Sequence, residues 1–228
     1  MSETAHAHDS AAEQERASYF WSRMGSLLAF APLGVWTFFH VFANMASLQG
    51  AEAWQTSVTA HSHPASLVAT TTIVMLPILI HTIWGIKRLT TSRPNNQRYG
   101  FFNNLRYVLQ RASAVGVLLF LGAHVWLAFL HPRLTTGSPE AFKDIAYEMG
   151  HHVPTLIVYV LGTLGVSYHL GNGIQGFCMS WGIATTRDGL KHVERLSYVA
   201  FVVLYAMCLA AIYGLYRAGA AMPVMTAP

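Results

Sequence analysis

The chain has 228 residues, of which 53% are hydrophobic and 11% charged, and a formal net charge of +4. Soluble domains carry about 25% charged residues, and this chain contains apolar runs longer than the ~20 residues that span a bilayer. The composition therefore excludes an ordinary soluble protein and predicts an all-α, polytopic membrane protein. The sequence has no zinc-ligand spacing or aromatic-basic module, so we expect no nucleic acid as a partner.

Five apolar runs predict a bundle of five transmembrane helices, at residues 24–48, 66–88, 107–131, 153–183 and 195–217. Residues 1–18 are polar, without a basic start before an apolar core, and we expect them to remain in the mature protein as a cytoplasmic tail. Residues 19–217 form the predicted five-helix transmembrane domain, and residues 218–228 a short external tail. Cys178 and Cys208 fall in different spans and are predicted to be buried thiols.

The basic residues predict the orientation of the bundle. Most of them precede the first span or lie in the predicted connections after the second and fourth spans: Arg16, Arg23, Lys87, Arg88, Arg93, Arg98, Arg106, Arg111, Arg187, Lys191 and Arg195. The opposite side carries Arg133, Lys143 and Arg217. By the positive-inside rule we expect the amino terminus in the cytoplasm and the carboxyl terminus outside.

Four of the twelve histidines lie inside spans, one on each of the first four: His40, His81, His124 and His169. A lone buried histidine is more often a packing residue, but four polar rings at matched depths in hydrocarbon need partners. A rise of ~1.5 Å per residue puts His40 and His124 about 24–25 Å from the cytoplasmic surface. It puts His81 and His169 about 22–24 Å from the outer surface. This predicts two layers of two imidazoles, ~15 Å apart along the membrane normal.

Two histidines on two helices at one level suit bis-histidine haem b, because the iron takes one imidazole on each side of the porphyrin plane. A porphyrin also needs a flat slot, and glycines thin the face of the fourth helix within two turns of His169: Gly162, Gly165, Gly173 and Gly176. The same pattern is typical of close packing between membrane helices. Both interpretations remain open at this point.

Four stretches carry a family resemblance: "RMGSLLAFAPLGVWTFFHVFAN", "LPILIHTIWGI", "YVLQRASAVGVLLFLGAHVW" and "YHLGNGIQGFCMSWGIATT". They resemble the dihaem cytochrome b membrane-anchor subunit of bacterial succinate:quinone oxidoreductases, the succinate dehydrogenase and fumarate reductase family. The resemblance runs from Tyr19 to Arg217, in the same order and with five helices. It implies a bacterial inner-membrane subunit that is attached on its cytoplasmic side to a flavoprotein subunit and an iron–sulfur subunit.

The resemblance also implies two haem b groups and their ligands. His81 and His169 are the expected iron ligands of the proximal haem, and His40 and His124 those of the distal haem. The implied function is electron transfer between the iron–sulfur subunit and a quinone, expected to be menaquinone, near the outer surface. The dicarboxylate chemistry would then lie on the other subunits, with this chain contributing to the quinone site.

Further candidate residues lie near the span ends. At the cytoplasmic ends of the first and third helices, haem propionates are the expected partners of Arg23, Ser26, Arg111 and Ser113. Membrane anchoring is an equal alternative for the two arginines. Trp126 is a candidate for lining the distal haem or the quinone pocket, or a simple interface tryptophan. Trp54, His61 and His63 are weaker quinone-site candidates, for which solvation in a loop is favoured.

One position departs from the family. Some fumarate reductase members have a glutamate, implicated in proton movement, two residues before the ligand of the fourth helix, and Ser167 stands there in this chain. We therefore do not expect a compensating proton route of that type.

Three other functions remain open from the sequence. They are the dihaem b anchor of a hydrogenase or formate dehydrogenase, a transporter that uses the histidines as a metal or proton relay, and a purely structural anchor.

Overall fold

The computed structural model describes residues 2–59, 64–91 and 102–224. In hydrocarbon every backbone N–H and C=O must be satisfied within the chain, which leaves the helix as the solution for long apolar runs. The described residues accordingly form helices and no strand. The helices are α1 (Ser2–Leu28), α2 (Val35–Asn44), α3 (Ala51–Thr59), α4 (Pro64–Thr70), α5 (Leu76–Thr90), α6 (Phe102–Val125), α7 (His131–Thr136), α8 (Phe142–His151), α9 (Val153–Ser180) and α10 (Arg187–Ala220).

Among the described residues, five helical stretches are long and apolar enough to cross a membrane, which confirms the predicted number. Spans I to V are Glu13–Leu48, Val68–Thr90, Asn104–Thr136, Val153–Ser180 and Arg187–Ala220. Spans I, III and V begin before the predicted apolar runs, because a helix satisfies its own backbone and continues into the polar headgroup region. The tail predicted at residues 1–18 is therefore continuous, from Ser2 onward, with the helix of span I.

Three spans change helical type near a proline. The π turns are Ala29–Gly34 in span I, which contains Pro32, Thr71–Met75 in span II and Trp126–Leu130 in span III. Pro77 and Pro132 follow the last two turns after one intervening residue each. Proline lacks an N–H and its ring crowds the preceding turn, so a wider turn accommodates it.

Spans I to IV form a ring of four. Span I packs against spans II and IV, and span III packs against the same two. Spans I and III are therefore diagonal partners across the bundle, and so are spans II and IV. Span V lies outside this ring and packs against span IV, α2 and α8.

The outer surface of the bundle is apolar, as lipid contact requires. Leu119 is 72% exposed, Phe39 62% and Val202 60%. Cys178 and Cys208 are buried and unbonded to each other, as predicted.

The two ends of the bundle differ. We call the end with the start of span I and of span V the N-side, and the opposite end the C-side. On the C-side, α3 and α8 cap the bundle, and their apolar side chains join the main core with spans III, IV and V: Trp54, Phe120, Phe142, Ile145, Ala146, Met149, Tyr159, Ile212 and Leu215.

Candidate functional site

The histidines of the diagonal spans I and III meet inside the bundle. His40 lies on α2 and His124 on α6, and their ring centroids are 5.8 Å apart. The His40 ring stacks on Trp36, with centroids 4.5 Å apart, and the His124 ring stacks on Phe120 at 5.5 Å. Aromatic side chains therefore surround this pair, called here the C-side pair.

The histidines of spans II and IV form a second pair. His81 lies on α5 and His169 on α9, with ring centroids 6.4 Å apart. Trp84, one turn beyond His81, has its ring centroid 5.5 Å from the imidazole. This pair is called the N-side pair.

Tyr159 gives the separation of the two pairs. Its hydroxyl lies 3.1 Å from Nδ1 of His124, which puts it at the level of the C-side pair. His169 follows ten residues later on the same helix, a rise of ~15 Å. The two pairs therefore lie at two depths, His40 and His124 toward the C-side and His81 and His169 toward the N-side.

Hydrogen bonds hold three of the four rings through Nδ1, in a form that can bind a metal. A carbonyl oxygen can only accept, so Nδ1 of His81 and of His169 carries the proton and Nε2 keeps a free lone pair. Ligating histidines in proteins are held in this way. The partners are the Gly25 carbonyl for His81 (3.1 Å), the Gln110 carbonyl for His169 (3.2 Å) and the Tyr159 hydroxyl for His124.

The separation within each pair suits one shared metal ion. A metal–imidazole bond is about 2 Å long, so two imidazoles on opposite sides of one ion have ring centroids about 6 Å apart. The observed 5.8 and 6.4 Å agree with this separation. Elsewhere in the described chain, His, Cys, Asp and Glu side chains do not gather in groups of three or more.

The glycines near His169 divide into two kinds. A Cβ built on Gly165 would have one neighbour within 4 Å, the Ser113 carbonyl at 4.0 Å, and a Cβ on Gly173 would meet Nε2 of Gln110 at 3.9 Å. These two positions, one turn to each side of His169, leave space for a flat ligand. A Cβ on Gly162 would instead overlap the Phe120 ring, so Gly162 serves helix packing. The donor set and the open space together fit haem b.

Arg23 and Ser26 join spans I and IV at the N-side. Nε of Arg23 donates to the Ser180 carbonyl at 3.2 Å, and its guanidinium lies 5.2 Å from the centroid of the Trp181 ring. The Ser26 hydroxyl donates to the Arg23 carbonyl at 2.8 Å and accepts from Nε1 of Trp181 at 3.1 Å. Both residues lie within two positions of Gly25, whose carbonyl accepts a hydrogen bond from His81.

Arg111 and Ser113 lie one turn from Gln110 or closer. The guanidinium of Arg111 lies 3.2 Å from the centroid of the Tyr107 ring, and its buried Nε has no partner in the described part of the chain. The Ser113 hydroxyl donates to the Gln110 carbonyl at 3.0 Å and lies 3.3 Å from Nδ1 of His169. Ser113 therefore lies against the His169 imidazole, and its predicted contact with a haem propionate stays a prediction.

Neither tryptophan candidate stacks on a ring of the two pairs in the described part of the chain. Trp126 is 53% exposed and its ring lies 5.9 Å from that of His131. Trp54 is buried in the C-side core and donates to Oδ1 of Asn44 at 3.1 Å. His61 and His63 lie outside the described residues.

The prediction for Arg106 was wrong in one respect. The sequence put it in a polar connection, but it lies in α6 with 6% exposure and forms an ion pair of 2.9 Å with Glu194. Its polar partners come from spans IV and V, which the sequence of span III does not reveal. Gln110 and Tyr159, both polar groups inside apolar spans, were also missed, although their polarity was a usable signal.

An open groove lies at the C-side end of span I, a few residues after His40. It has a volume of about 420 Å³ and is lined by Phe42, Ala43, Met45, Ala46, Leu48, Gln49 and Ser57. Its walls are mainly apolar, with one amide and one hydroxyl.

Comparisons with known proteins agree with this architecture. The family model for the succinate dehydrogenase/fumarate reductase transmembrane subunit matches residues 90–213. The succinate dehydrogenase cytochrome b558 subunit of Bacillus subtilis (strain 168) is 27% identical over 198 residues, which cover 86% of this chain and 96% of that protein.

Proposed function

The chain belongs to the succinate dehydrogenase/fumarate reductase transmembrane subunit family, and we propose that it carries electrons between an iron–sulfur subunit and a quinone through two bis-histidine haem b groups. It is a multi-pass protein of the bacterial inner membrane that associates with the other subunits of its complex. Haem b follows from the kinship to a cytochrome b subunit. The number of haems, their ligands and the path are the proposed part.

The two imidazole pairs are the observation that carries the proposal. Each pair joins two diagonal spans at a separation that suits one metal ion, and the pairs lie ~15 Å apart along α9. A single centre would reach only part of a ~30 Å hydrocarbon core. Two centres at these depths divide the crossing into shorter steps.

When bound, each haem supplies reversible one-electron exchange. The protein's residues hold and shield it. The Gly25 and Gln110 carbonyls fix the tautomer of His81 and His169, so that Nε2 of each ring would be free to hold the iron. Around the C-side pair, Phe120 supplies an apolar wall that excludes water.

The basic N-side supports a cytoplasmic amino terminus. In this orientation His81 and His169 hold the proximal haem, and His40 and His124 hold the distal haem. We propose that the flavoprotein and iron–sulfur subunits dock on the N-side, where electrons enter the chain nearest the N-side pair. The chain itself then lacks dicarboxylate chemistry, which those subunits supply.

The C-side groove is the proposed position of the quinone head group. It begins two residues after His40, on the same helix, and its apolar wall suits the ring of a menaquinone. Gln49 and Ser57 offer hydrogen bonds to the two quinone oxygens.

Purification of the complex with its native partners tests the proposal. We expect two b-type centres per copy by haem quantification and two components in a redox titration. One centre, or a preparation without a b-type absorption band, would overturn it, and the latter result would favour the transporter. The copurifying subunits distinguish a succinate dehydrogenase anchor from that of a hydrogenase or formate dehydrogenase.

Substitution of the proposed histidine ligands shows which histidine pair holds the haem of each redox component. His81→Met should change or abolish one component and His40→Met the other, because an axial methionine raises the potential of a b haem. His131→Gln is the matched control, since His131 lies in α7 outside both pairs. We expect both components to survive in this variant.

A further inference from the structure

A buried arginine links three spans on the N-side. Nε and one terminal nitrogen of Arg106 donate to Oδ1 of Asn172, at 3.1 and 2.7 Å. The other terminal nitrogen donates to Glu194 at 2.9 Å. Arg106 belongs to span III, Asn172 to span IV and Glu194 to span V. The Arg106 side chain is 7% exposed and that of Glu194 34%.

A continuous series of hydrogen bonds leads from this arginine to a haem ligand candidate. Nδ2 of Asn172 donates to Oε1 of Gln110 at 2.8 Å, and Nε2 of Gln110 donates to the backbone carbonyl of His169 at 3.1 Å. The backbone carbonyl of Gln110 in turn accepts from Nδ1 of His169 at 3.2 Å. Gln110 thus holds both the backbone and the ring of His169.

We propose that Arg106, Asn172 and Gln110 form a positioning relay for His169, and that the balance of charge between Arg106 and Glu194 sets the reduction potential of the haem held by His81 and His169. The inference rests on the proposed function, because it requires a haem at the N-side pair. None of the three relay residues touches the iron, so they are positioning residues.

The physical basis is the charge of Arg106 in a medium of low dielectric constant, where electrostatic effects extend further than in water. A nearby cation favours the reduced state of the haem iron, which carries one positive charge fewer than the oxidised state. Glu194 offsets that effect. Removal of Glu194 therefore leaves an uncompensated cation, and removal of Arg106 leaves an uncompensated anion.

A purely structural role makes a different prediction. A staple between spans III, IV and V would lower the thermal stability of the complex when it is broken. It would not raise the reduction potential of one haem when a positive charge remains and lower it when a negative charge remains.

Glu194→Gln is the decisive variant, because it removes the charge and keeps the volume of the side chain. In a redox titration of the whole complex, we expect the ratio of reduced to oxidised haem in the N-side component to rise at least threefold at a fixed potential. The C-side component should stay unchanged. Arg106→Gln should shift the N-side component the opposite way, and Arg106→Lys, which keeps the charge, should shift it less than Arg106→Gln.

Asp188→Asn is the matched control. Asp188 also lies on the N-side of α10, but its side chain is 84% exposed and it contacts Lys191 at 3.6 Å. Water screens such a charge, so neither component should move.

The possible outcomes distinguish failure of the relay proposal from failure of the proposed function. If Glu194→Gln leaves the N-side component in place, or shifts both components equally, the relay proposal is wrong even though two centres are present. If the unmodified complex lacks two b-type centres, the proposed function itself fails. Should Arg106→Gln not assemble, Glu194→Gln and Asp188→Asn still decide the question.

Discussion

The hydroxyl of Tyr159 links span IV to the imidazole of His124 in the C-side pair. Tyr159 is buried, with 8% exposure, and its oxygen lies 3.1 Å from Nδ1 of His124. If His124 ligates iron through Nε2, Nδ1 carries a proton that the Tyr159 oxygen accepts. Removal of that oxygen leaves a buried N–H without this partner, which costs about 1–3 kcal/mol.

We expect Tyr159→Phe to weaken haem retention at the C-side pair by roughly 10–100-fold, the usual effect of losing the hydrogen-bond partner of a ligating histidine. Haem content and the two redox components after dilution into haem-free detergent provide the measurement. Tyr213→Phe, at a position 54% exposed on α10, is the control. Equal retention of both haems in Tyr159→Phe would show that Tyr159 does not support the ligand.

For single residues, the sequence predicted the depth of a side chain better than it predicted the residues that the side chain contacts. The uniform rise of a helix converts residue number into depth, so the levels of His40 and His124 followed from spacing alone. The burial of Arg106 did not, because it depends on Asn172 and Glu194, which are distant in sequence and meet it only after three spans pack.

The element that organises the bundle is α9. It carries His169, contacts His124 through Tyr159, and packs closely against α10 through small residues. A Cβ on Gly171 would lie 2.8 Å from Cβ of Phe201 and 2.9 Å from the Ser197 carbonyl, both on α10. Such contacts require a shift of the two helices.

Gly171→Ala is therefore expected to destabilise the protein by about 1–3 kcal/mol through overpacking. Gly122→Ala is the matched control, because a Cβ there would meet nothing within 4 Å and the position is exposed. Thermal unfolding in detergent compares the two variants. A loss of stability in Gly122→Ala as large as in Gly171→Ala would contradict the packing explanation.

Among the elements, the five spans were predictable and their internal turns were not. Length and apolar content decide whether a helix crosses the bilayer, and both can be counted in the sequence. The π turns at Thr71–Met75 and Trp126–Leu130 depend on how the backbone relaxes before Pro77 and Pro132. The glycine pattern around His169 was likewise ambiguous until Gly162 was found against Phe120.

On the scale of the whole molecule, the ring of four spans places the two histidine pairs at different depths. Alternating up and down spans put His40 and His124 toward one side and His81 and His169 toward the other. Diagonal packing then directs each pair toward the bundle axis. Span V supplies an outer support and contributes Glu194, the ion-pair partner of Arg106.

This arrangement predicts that turnover depends on the membrane potential. With the N-side in the cytoplasm, an electron that moves from the level of the N-side pair to that of the C-side pair goes outward, from the negative to the positive side. The ~15 Å between the levels is about half of the hydrocarbon core. The membrane potential therefore makes the transfer more favourable by about 1 kcal/mol per electron for each 100 mV.

Ser167 lies between the two levels, fully buried. A carboxylate at this position could take up and release a proton, and serine does not carry a proton in the same way. We therefore expect no compensating proton transfer, so that succinate oxidation by menaquinone slows when an uncoupler is added to energised vesicles. Fumarate reduction should accelerate under the same treatment.

The rates of coupled and uncoupled vesicles that contain the complete complex provide the measurement. Succinate oxidation by a soluble artificial acceptor is the control, because electrons then leave before they enter the membrane, and its rate should not respond to the uncoupler. Identical menaquinone-linked rates in the two conditions would mean that the charge movement is compensated or that the quinone reacts at the N-side. Either result would contradict this prediction, and reaction of the quinone at the N-side would also remove the transmembrane path from the proposed function.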